Sequence, residues 1–330
     1  MSALIELNGI KKSFAFRKGL LQRVVGEVKA IDDVSLSIER GRTLGLVGES
    51  GCGKSTLARI VVGLYPPSAG EILFEGKQIA GPDMGVAPEY SRRIQIIFQD
   101  PYSSLDPRLP VGDSIAEGLV IHGIGDTASR RKAVLDMLAL VGLPPQAADR
   151  YPHEFSGGQR QRIGIARALI LEPEFLVCDE PTSALDVSVQ AQILNLLKQL
   201  KAQFNLSMMF ISHNLAVVRH IADDVMVMYL GHAVEVAPVR DLFETPRHPY
   251  TRALLSATPI ADPDRRGERI KLVGEIPSPL NPPSGCPFHP RCSLANDRCK
   301  TEVPAMMVAG NARVACHAVE EGRTLAHAQA

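Results

Sequence analysis

The stretch GESGCGKS, Gly48 to Ser55, fits the pattern G-x-x-x-x-G-K-S/T and predicts a loop that binds phosphate groups. It follows the apolar run TLGLV and precedes the helical pattern KSTLARIVVGL. Glycines let backbone N–H groups turn toward an anion, and the N-terminus of the following helix adds partial positive charge. The predicted nucleotide-binding residues of this phosphate loop are Gly48, Glu49, Ser50, Gly51, Cys52, Gly53, Lys54, Ser55 and Thr56.

We expect a specific role for two residues of the phosphate loop and none for a third. Lys54 is expected to reach the β- and γ-phosphates, and Ser55 is expected to place its hydroxyl on Mg²⁺. Cys52 is interpreted as a tolerated spacer rather than a redox switch. An ordinary glycine-rich turn is the alternative for the whole stretch, and the spacing and both flanking elements argue against it.

Composition limits the classes of protein that the chain can belong to. Its 330 residues suit one large domain with an extension, or two domains. Lys plus Arg and Asp plus Glu both number 36, and this balance argues against a nucleic-acid partner. The start MSALIELNGIKKSF has no basic leader before an apolar core, and no run of 18 apolar residues occurs. We therefore expect a cytosolic protein with reduced thiols and no membrane span.

Short apolar runs alternate with helical patterns, which predicts an α/β fold around a largely parallel sheet. The predicted buried strands cover 43–48, 94–98, 175–180, 208–212 and 224–231. The predicted helices between them cover 54–64, 160–170 and 188–204. The segments ALIELNGI, VKAIDDVSLSI and GEILFEGKQI alternate apolar and polar residues, which favours a small antiparallel layer beside the main sheet.

Two further segments depart from this alternation. Residues 100–158 contain proline-rich turns and one clear helical pattern, over 129–143, so we expect a mostly helical insertion. Prolines become frequent after residue 240. This shift in composition predicts a nucleotide-binding domain over 1–240 and a separate C-terminal domain over 241–330.

The run FLVCDE ends in two acids, Asp179 and Glu180, directly after a predicted buried strand. One acid at such a position can hold a metal ion through a water, and its neighbour can orient or deprotonate an attacking water. Alternatively, the two acids are solvated loop charges without a catalytic role. The phosphate loop upstream argues against this alternative. Cys178, inside the strand, is expected to be a core residue.

The stretch FSGGQRQR begins another predicted helix with Ser156, Gly157 and Gly158. Free N–H groups and a hydroxyl at a helix N-terminus predict a second anion site. A chain with one phosphate loop needs only one such site for its own nucleotide. We therefore expect this helix to serve a nucleotide held by another copy or a paralogue. The arginines that follow are interpreted as a solvated basic face, and they are Arg160, Arg162 and Arg167.

These motifs together resemble the ATP-binding subunits of ABC transporters. The family's signature SGGQ stands at 156–159, its Q-loop residue is Gln99 in IIFQDP, its D-loop is 183–186, and its switch histidine is His213 in FISHN. The resemblance implies a P-loop NTPase fold of the ABC ATPase type. Its expected parts are a RecA-like core sheet, an antiparallel β-subdomain, a helical subdomain and a cysteine-bearing C-terminal extension.

The resemblance also implies roles for single residues in a head-to-tail sandwich of two subunits around ATP. Residues 48–56 of one subunit and 156–159 of its partner would bind the same nucleotide. The implied catalytic residues are Glu180 as general base, His213 at the γ-phosphate, Gln99 between metal and membrane partner, and Lys54. The implied Mg²⁺ ligands are Ser55, Gln99 and Asp179. The remaining implied nucleotide contacts are Phe14 on adenine, with Phe16 close by, and Ser156, Gly157, Gly158, Gln159 and Asp186.

Asn214 follows the switch histidine where most relatives have aspartate, and this departure leaves the contacts of that loop open.

The tail resembles the C-terminal region of oligopeptide and dipeptide importers, on HPYTRALLSATP (248–259) and GEIPSPLNPPSGCPFHPRC (274–292). This implies a motor for uptake of dipeptides or short oligopeptides, placed peripherally on the cytoplasmic face of a bacterial inner membrane. The implied partners are a paralogous ATP-binding subunit or a second copy, two permeases and an extracytoplasmic solute-binding protein. Nickel, glutathione or another small solute is the alternative cargo, and a non-transport ABC ATPase is a more remote reading.

Four cysteines gather in the tail: Cys286, Cys292, Cys299 and Cys316. Their spacing lacks the close C-x₂₋₄-C pairs of structural zinc sites, and four thiolates on irregular loops suit a [4Fe–4S] cluster. Importers of this group are known for such a cluster, which strengthens the expectation by resemblance. Zinc and four free thiols remain alternatives, and His289 and His317 are close enough in sequence to replace a cysteine as ligand.

Overall fold

The computed structural model describes residues 3–18, 23–100, 102, 104–257 and 270–323. The strands are β1 Ala3–Lys18, β2 Arg23–Glu39, β3 Thr43–Val47, β4 Ala69–Phe74, β5 Lys77–Ala80, β6 Ile94–Ile97, β7 Phe175–Asp179, β8 Ser207–Ile211, β9 Asp224–Tyr229, β10 His232–Pro238, β11 Met307–Ala309 and β12 Ala312–Val314. The α-helices are α1 Lys54–Val61, α2 Pro88–Ser91, α3 Val111–Ile121, α4 Thr127–Leu140, α5 Gly157–Leu169, α6 Val187–Phe204, α7 Leu215–Ile221, α8 Val239–Glu244, α9 Pro249–Ser256, α10 Asp297–Thr301 and α11 His317–Glu320.

The main sheet has the strand order β11-β12-β10-β9-β3-β8-β7-β6. Strands β6, β7, β8, β3 and β9 pair in parallel, as the apolar runs predicted, and the other three pair antiparallel. Along β7, Leu176 and Cys178 pack into one core while Phe175 and Val177 pack into the other. Burial on both faces explains the unbroken apolar sequence, and the prediction that Cys178 is a core residue is confirmed.

The predicted antiparallel layer is confirmed as a separate sheet with the order β2-β1-β4-β5. Its apolar side chains share one core with α1 and with one face of the main sheet. Among the described residues, no helix combines the length and apolar character needed to cross a membrane.

The predicted helical insertion contains α4, as expected, and also α3, which the sequence pattern did not reveal. Two glycines, Gly112 and Gly118, weaken the helical signal in α3. Both are explained by packing, because a Cβ at Gly112 would lie 2.8 Å from the Ala148 carbonyl oxygen and one at Gly118 would lie 3.1 Å from Leu171. Close approach to neighbouring elements therefore outweighs helix propensity here.

The C-terminal segment extends the main sheet rather than standing apart from it. Strand β12 pairs with β10 at Glu235 and Val314, and the β11–β12 hairpin forms the edge. The core that contains Leu176 and Cys178 of β7 also includes side chains of the tail, namely Cys286, Phe288, Cys299, Val314 and Cys316. The domain boundary at 240 stays a prediction, and 258–269 and 324–330 of its second part lie outside the described residues.

Four charged side chains join the two sheets at one end. Glu174, before β7, accepts hydrogen bonds from Arg93 at 2.5 Å and from Arg40 at 2.7 Å. Glu75, in the β4–β5 turn, accepts from the same two arginines, at 2.7 Å and 2.5 Å. The Arg93 guanidinium holds the pKa of Glu174 below its usual value. Each of the four residues thus pairs with two residues of opposite charge, and the network spans the boundary between the two sheets.

We predict that Glu174→Gln lowers the free energy of unfolding by about 1 kcal/mol at neutral pH, since partly exposed ion pairs contribute little individually. Because the pKa of Glu174 is depressed on folding, this difference is complete above the ordinary glutamate pKa of about 4.3 and is lost as the pH falls through the folded-state value. Urea unfolding of both proteins between neutral and acidic pH measures it. The exposed Glu89→Gln, outside the network, should match the wild type, and a pH-independent loss in Glu174→Gln would contradict the prediction.

Candidate active site

The phosphate loop leaves the end of β3 and enters α1, as its motif predicted. Gly48 and Gly53 have φ values of 153° and 105°. A Cβ at Gly48 would lie 2.3 Å from the Met228 carbonyl oxygen, and one at Gly53 would lie 2.4 Å from that of Ala30. The Gly231 N–H also donates to the Cys52 carbonyl at 3.0 Å. Backbone from two neighbouring segments, strand β2 and the β9–β10 hairpin, therefore fixes the path of the loop.

Lys54 lies inside the loop, with a side chain that is almost fully buried. Its ammonium group donates to the carbonyl oxygens of Gly48 at 2.8 Å and Glu49 at 3.0 Å, and it lies 3.7 Å from the buried Cys52 sulfur. A phosphate oxygen is a stronger acceptor than a carbonyl, because a hydrogen bond between two charged groups is shorter and stronger. Lys54 is thus placed to exchange backbone acceptors for phosphate.

Oxygen donors suited to a divalent cation meet beside the loop. The Ser55 hydroxyl donates to Asp179 Oδ1 at 2.9 Å. Burial raises the pKa of Asp179, and the neighbouring Glu180 raises it further. A buried carboxylate held with a hydroxyl is the type of oxygen pair that binds Mg²⁺ together with substrate phosphates. These two residues fit the predicted metal role.

Glu180 contacts two other predicted catalytic residues, Gln99 and His213. Its Oε2 accepts a hydrogen bond from Gln99 Nε2 at 3.1 Å and lies 3.3 Å from His213 Nδ1. The residue has φ of 46°, and its N–H donates to the Ile211 carbonyl at 3.1 Å. A cavity of about 150 Å³ adjoins the carboxylate, lined also by Asn214. The Asn214 side chain caps α7, so it keeps the loop after the histidine in place.

The predicted signature residues lie at the N-terminus of α5. Ser156 caps the helix, with its Oγ accepting from the Gln159 N–H at 3.4 Å and Gln159 Oε1 accepting from the Ser156 N–H at 3.0 Å. A Cβ at Gly158 would lie 2.5 Å from Val189. In the part of the chain that the structure describes, no hydrogen bond joins 156–159 to 48–56.

Asp186 of the D-loop caps α6 by accepting from the Val189 N–H at 2.9 Å and the Ser188 hydroxyl at 2.8 Å. The Val189 N–H holds the pKa of Asp186 below its usual value. Because Val189 also packs on Gly158, the signature and the D-loop form one continuous surface. The predicted nucleotide contact of Asp186 stays a prediction.

The interpretation of the three arginines on α5 as a solvated face is wrong. Arg162 Nη1 donates to the Val141 carbonyl at 2.6 Å, and Arg167 Nη1 donates to the Ser104 carbonyl. The Arg160 guanidinium lies 4.0 Å from the ring centroid of Tyr102. These side chains are half-buried because they tie the signature helix to α4 and to the segment after Gln99.

Phe14, the predicted adenine-stacking residue, lies on β1 with its ring partly exposed. It contacts Tyr65 edge-on, with centroids 5.6 Å apart, and Lys12 Nζ lies 5.3 Å from its centroid. Phe16 is also exposed on the same strand. Tyr65, after α1, belongs to this aromatic surface and was missed, because its sequence context carries no motif.

The four tail thiols Cys286, Cys292, Cys299 and Cys316 come together in the folded C-terminal segment. Burial, together with the neighbouring cysteines, raises the pKa of Cys286 to about 12 and that of Cys292 to about 11. Arg323 Nη2 donates to Cys299 Sγ at 3.8 Å. All four thiols are free. Within the described ranges, however, no group of three or more His, Cys, Asp and Glu side chains is arranged to hold a metal ion, so the cluster stays a prediction.

The two histidines considered as alternative ligands are engaged with the backbone. His289 Nδ1 donates to the Cys286 carbonyl at 3.0 Å, and His317 Nε2 donates to the Glu302 carbonyl at 3.0 Å.

Comparison with known proteins agrees with this geometry. The family model described as "ABC transporter" matches residues 31–183, and the model described as "Oligopeptide/dipeptide transporter, C-terminal region" matches residues 234–299. The chain is 51% identical to the oligopeptide transport ATP-binding protein AppF of Bacillus subtilis (strain 168), over 95% of this chain and 97% of that protein. The chain belongs to the ATP-binding subunits of ABC transporters.

Further relatives of this ABC subunit agree. The di/tripeptide transport ATP-binding protein DppF of Pseudomonas aeruginosa (strain UCBPP-PA14) is 48% identical, over 97% of this chain and 99% of that protein. The ATP-binding cassette MJ0796, solved as a dimer in a post-hydrolysis state bound to ADP and Pi, matches with a TM-score of 0.62 and 27% identity, covering 72% of this chain and 99% of that one. CbiO1 of Clostridium perfringens, part of the ABC transporter complex cbiONQ, matches with a TM-score of 0.61 and 25% identity. The match covers 74% of this chain and 93% of that one.

Sequence reasoning missed a group of C-terminal residues that contact the phosphate loop of this ABC subunit. The Glu49 N–H donates to Tyr250 Oη at 2.9 Å, and the Glu49 carboxylate accepts from Arg291. The backbone and side chain of Glu49 are therefore both engaged by the C-terminal segment. The tripeptide PRC at 290–292 carries no motif that marks its arginine, and no spacing rule connects Arg291 to a loop so distant in sequence.

We predict that Glu180→Gln lowers kcat for ATP hydrolysis by on the order of a hundredfold or more, as expected for removal of a general base. The dissociation constant for ATP should stay close to that of the wild type, because the substitution keeps the shape of the side chain. Steady-state ATPase assays and equilibrium binding of MgATP measure the two effects separately.

The matched control is Glu244→Gln, an exposed carboxylate on α8 that pairs with Arg240. It should hydrolyse ATP at the wild-type rate. Equal losses in both variants, or wild-type turnover in Glu180→Gln, would remove Glu180 from the catalytic role.

Proposed function

We propose that this chain is the ATP-hydrolysing subunit that energises uptake of dipeptides or short oligopeptides through an ABC transporter. The observation that carries the proposal is the meeting of Gln99, Glu180 and His213 beside the phosphate loop, in a chain whose tail is of the oligopeptide/dipeptide type. Relatives named for oligopeptide and for di/tripeptide transport support the solute class.

The residues of the site divide the work of hydrolysis. Lys54 and the N–H groups of the phosphate loop bind the β- and γ-phosphates, and Glu180 orients and deprotonates the attacking water. His213 and Gln99, both in contact with Glu180, hold its carboxylate and sense the γ-phosphate. Ser55, Asp179 and Gln99 would hold Mg²⁺, which offsets the negative charge that develops on the phosphates. Phe14 supplies the stacking surface for adenine.

A second ATP-binding subunit completes the site. Among the described residues no hydrogen bond joins 156–159 to the phosphate loop of the same chain, so the N–H groups of Gly157 and Gly158 serve a nucleotide bound by a partner, and the partner returns the same contact. ATP favours the closed pair because both halves contact the γ-phosphate, and hydrolysis removes that shared ligand. The partner is a paralogue or a second copy. The pair acts with two permease subunits and an extracytoplasmic binding protein, at the cytoplasmic face of the bacterial inner membrane.

We predict that the chain, reconstituted in proteoliposomes with its permeases and partner ATPase, shows ATPase activity that rises severalfold when a binding protein loaded with dialanine is added. Labelled dialanine should accumulate in the compartment that faces the ATPases, and Glu180→Gln should abolish both signals.

The alternatives give different results in the same assay. Stimulation by nickel or glutathione instead of dialanine would keep the motor role and overturn the peptide assignment. Stimulation by DNA or ribosomes without permeases would overturn transport itself.

We also propose a [4Fe–4S] cluster on Cys286, Cys292, Cys299 and Cys316. Neighbouring tail cysteines raise the pKa of Cys286, Cys292 and Cys316, which indicates that the thiols lie near one another, and a cluster takes one thiolate per iron. A single zinc ion would need sulfur atoms about 2.3 Å from one centre, a tighter set. When bound, the cluster would cross-link the tail loops, and it has no part in ATP hydrolysis. The fold around it is preformed: the Cys286 N–H donates to the Cys299 carbonyl at 2.9 Å.

Anaerobic purification tests the cluster. We expect visible absorption with about four irons and four sulfides per chain, lost in Cys286→Ser and kept in Cys52→Ser, whose thiol lies in the phosphate loop. Stoichiometric zinc without sulfide would replace the cluster by a structural zinc site, and absence of both metals would leave four ordinary thiols.

A further inference from the structure

The C-terminal segment reaches the ATP site through one arginine. Arg291 Nη1 lies 2.7 Å from Glu49 Oε2, and Arg291 Nη2 lies 3.1 Å from Glu49 Oε1, a two-point pairing of guanidinium and carboxylate. Only 7% of the Arg291 side chain and 25% of the Glu49 side chain are exposed. Paired geometry of this kind fixes orientation as well as distance.

The surroundings of this pair are closely packed. Tyr229, Tyr250 and Phe288 are fully buried against one another, with ring centroids 4.8 to 5.3 Å apart. Arg291 also donates to Tyr229 Oη at 3.4 Å, and Tyr250 Oη accepts the Glu49 N–H. Tyr250 therefore holds the backbone of Glu49, and Arg291, which contacts the same aromatic cluster, holds its side chain.

The held residue is adjacent to the groups that bind phosphate. The carbonyls of Gly48 and Glu49 are the acceptors for the Lys54 ammonium. Movement of Glu49 would move both acceptors and change the position of Lys54. Among the residues that the structure describes, none forms a hydrogen bond with the buried Arg291 Nε, so the Glu49 carboxylate supplies most of the charge compensation of the guanidinium.

We propose that Arg291 is a positioning residue for the phosphate loop, acting through Glu49, and that it couples the C-terminal segment to ATP binding. Arg291 ends the 3₁₀ turn His289–Arg291, and Cys292, one of the four gathered thiols, follows it directly. A change in the conformation of the cysteine-bearing loops would thus be transmitted to the nucleotide site through the Arg291 side chain. This inference concerns ATP binding and holds for any transported solute.

A double-mutant cycle on the full-length chain tests the coupling. Arg291→Met keeps the apolar stem without the charge, and Glu49→Gln keeps the shape without the charge. Each single variant should raise the dissociation constant for MgATP by on the order of tenfold, the usual scale of coupling between sites. The double variant should be no weaker than either single variant, because both remove the same contact.

The controls separate positioning from folding. Arg298→Met removes ion pairs of the same segment with Glu302, Glu320 and Glu321, and it should leave MgATP affinity unchanged. Arg291→Lys, which keeps the charge but not the two-point geometry, should give an intermediate affinity. Wild-type affinity in Arg291→Met, or additive losses in the double variant, would overturn the proposal. If Arg291→Met fails to fold, Glu49→Gln and Arg291→Lys decide the question.

Coupling is reciprocal, which gives a second readout. MgATP should slow amide hydrogen exchange in residues 286–299 of the wild type, and Glu49→Gln should abolish that slowing at saturating nucleotide. A purely structural role for the ion pair predicts the same slowing in both proteins, and that result would also overturn the proposal.

Discussion

The parallel pairing of β3 with β8 and of β8 with β7 is the constraint on which the whole site depends. Parallel strands end at the same edge of a sheet, so the residues after each strand meet although they are far apart in sequence. Here that edge brings together the phosphate loop after β3, Asp179 and Glu180 at the end of β7, and His213 after β8. Gln99 follows β6 at the same edge and completes the set around the Glu180 carboxylate.

Much of this arrangement could be predicted because each part has a local signal. The buried strands are continuous apolar runs, since residues on both faces of β7 are in a core. The phosphate loop has glycines where a Cβ would collide with backbone, at Gly48 and Gly53. The resemblance implied catalytic roles for Gln99, Glu180 and His213, but it did not predict that Gln99 and His213 both contact the Glu180 carboxylate. Nothing in the spacing of these residues indicates a shared hydrogen-bond partner.

The features that could not be predicted all depend on contacts distant in sequence. Helix α3 contains Gly112 and Gly118, which weaken its pattern but are required by neighbours that only the fold supplies. Strand β10 completes the sheet by pairing with β12, more than 70 residues later. The arginines on α5 read as a polar face, yet they bind backbone carbonyls of the helical insertion. Arg291 and Glu49 carry no motif that joins them.

The backbone conformation of Glu180 lowers the stability of the fold locally. A φ of 46° is a left-handed conformation, which disfavours a residue with a Cβ by on the order of 1 kcal/mol relative to glycine. The Glu180 N–H bond to Ile211 keeps the residue there. Selection for foldability alone would favour glycine at this position, at the expense of the carboxylate. A carboxylate at position 180 is therefore kept against the local backbone preference, and chains released from the need to hydrolyse ATP would be expected to drift toward glycine at this position.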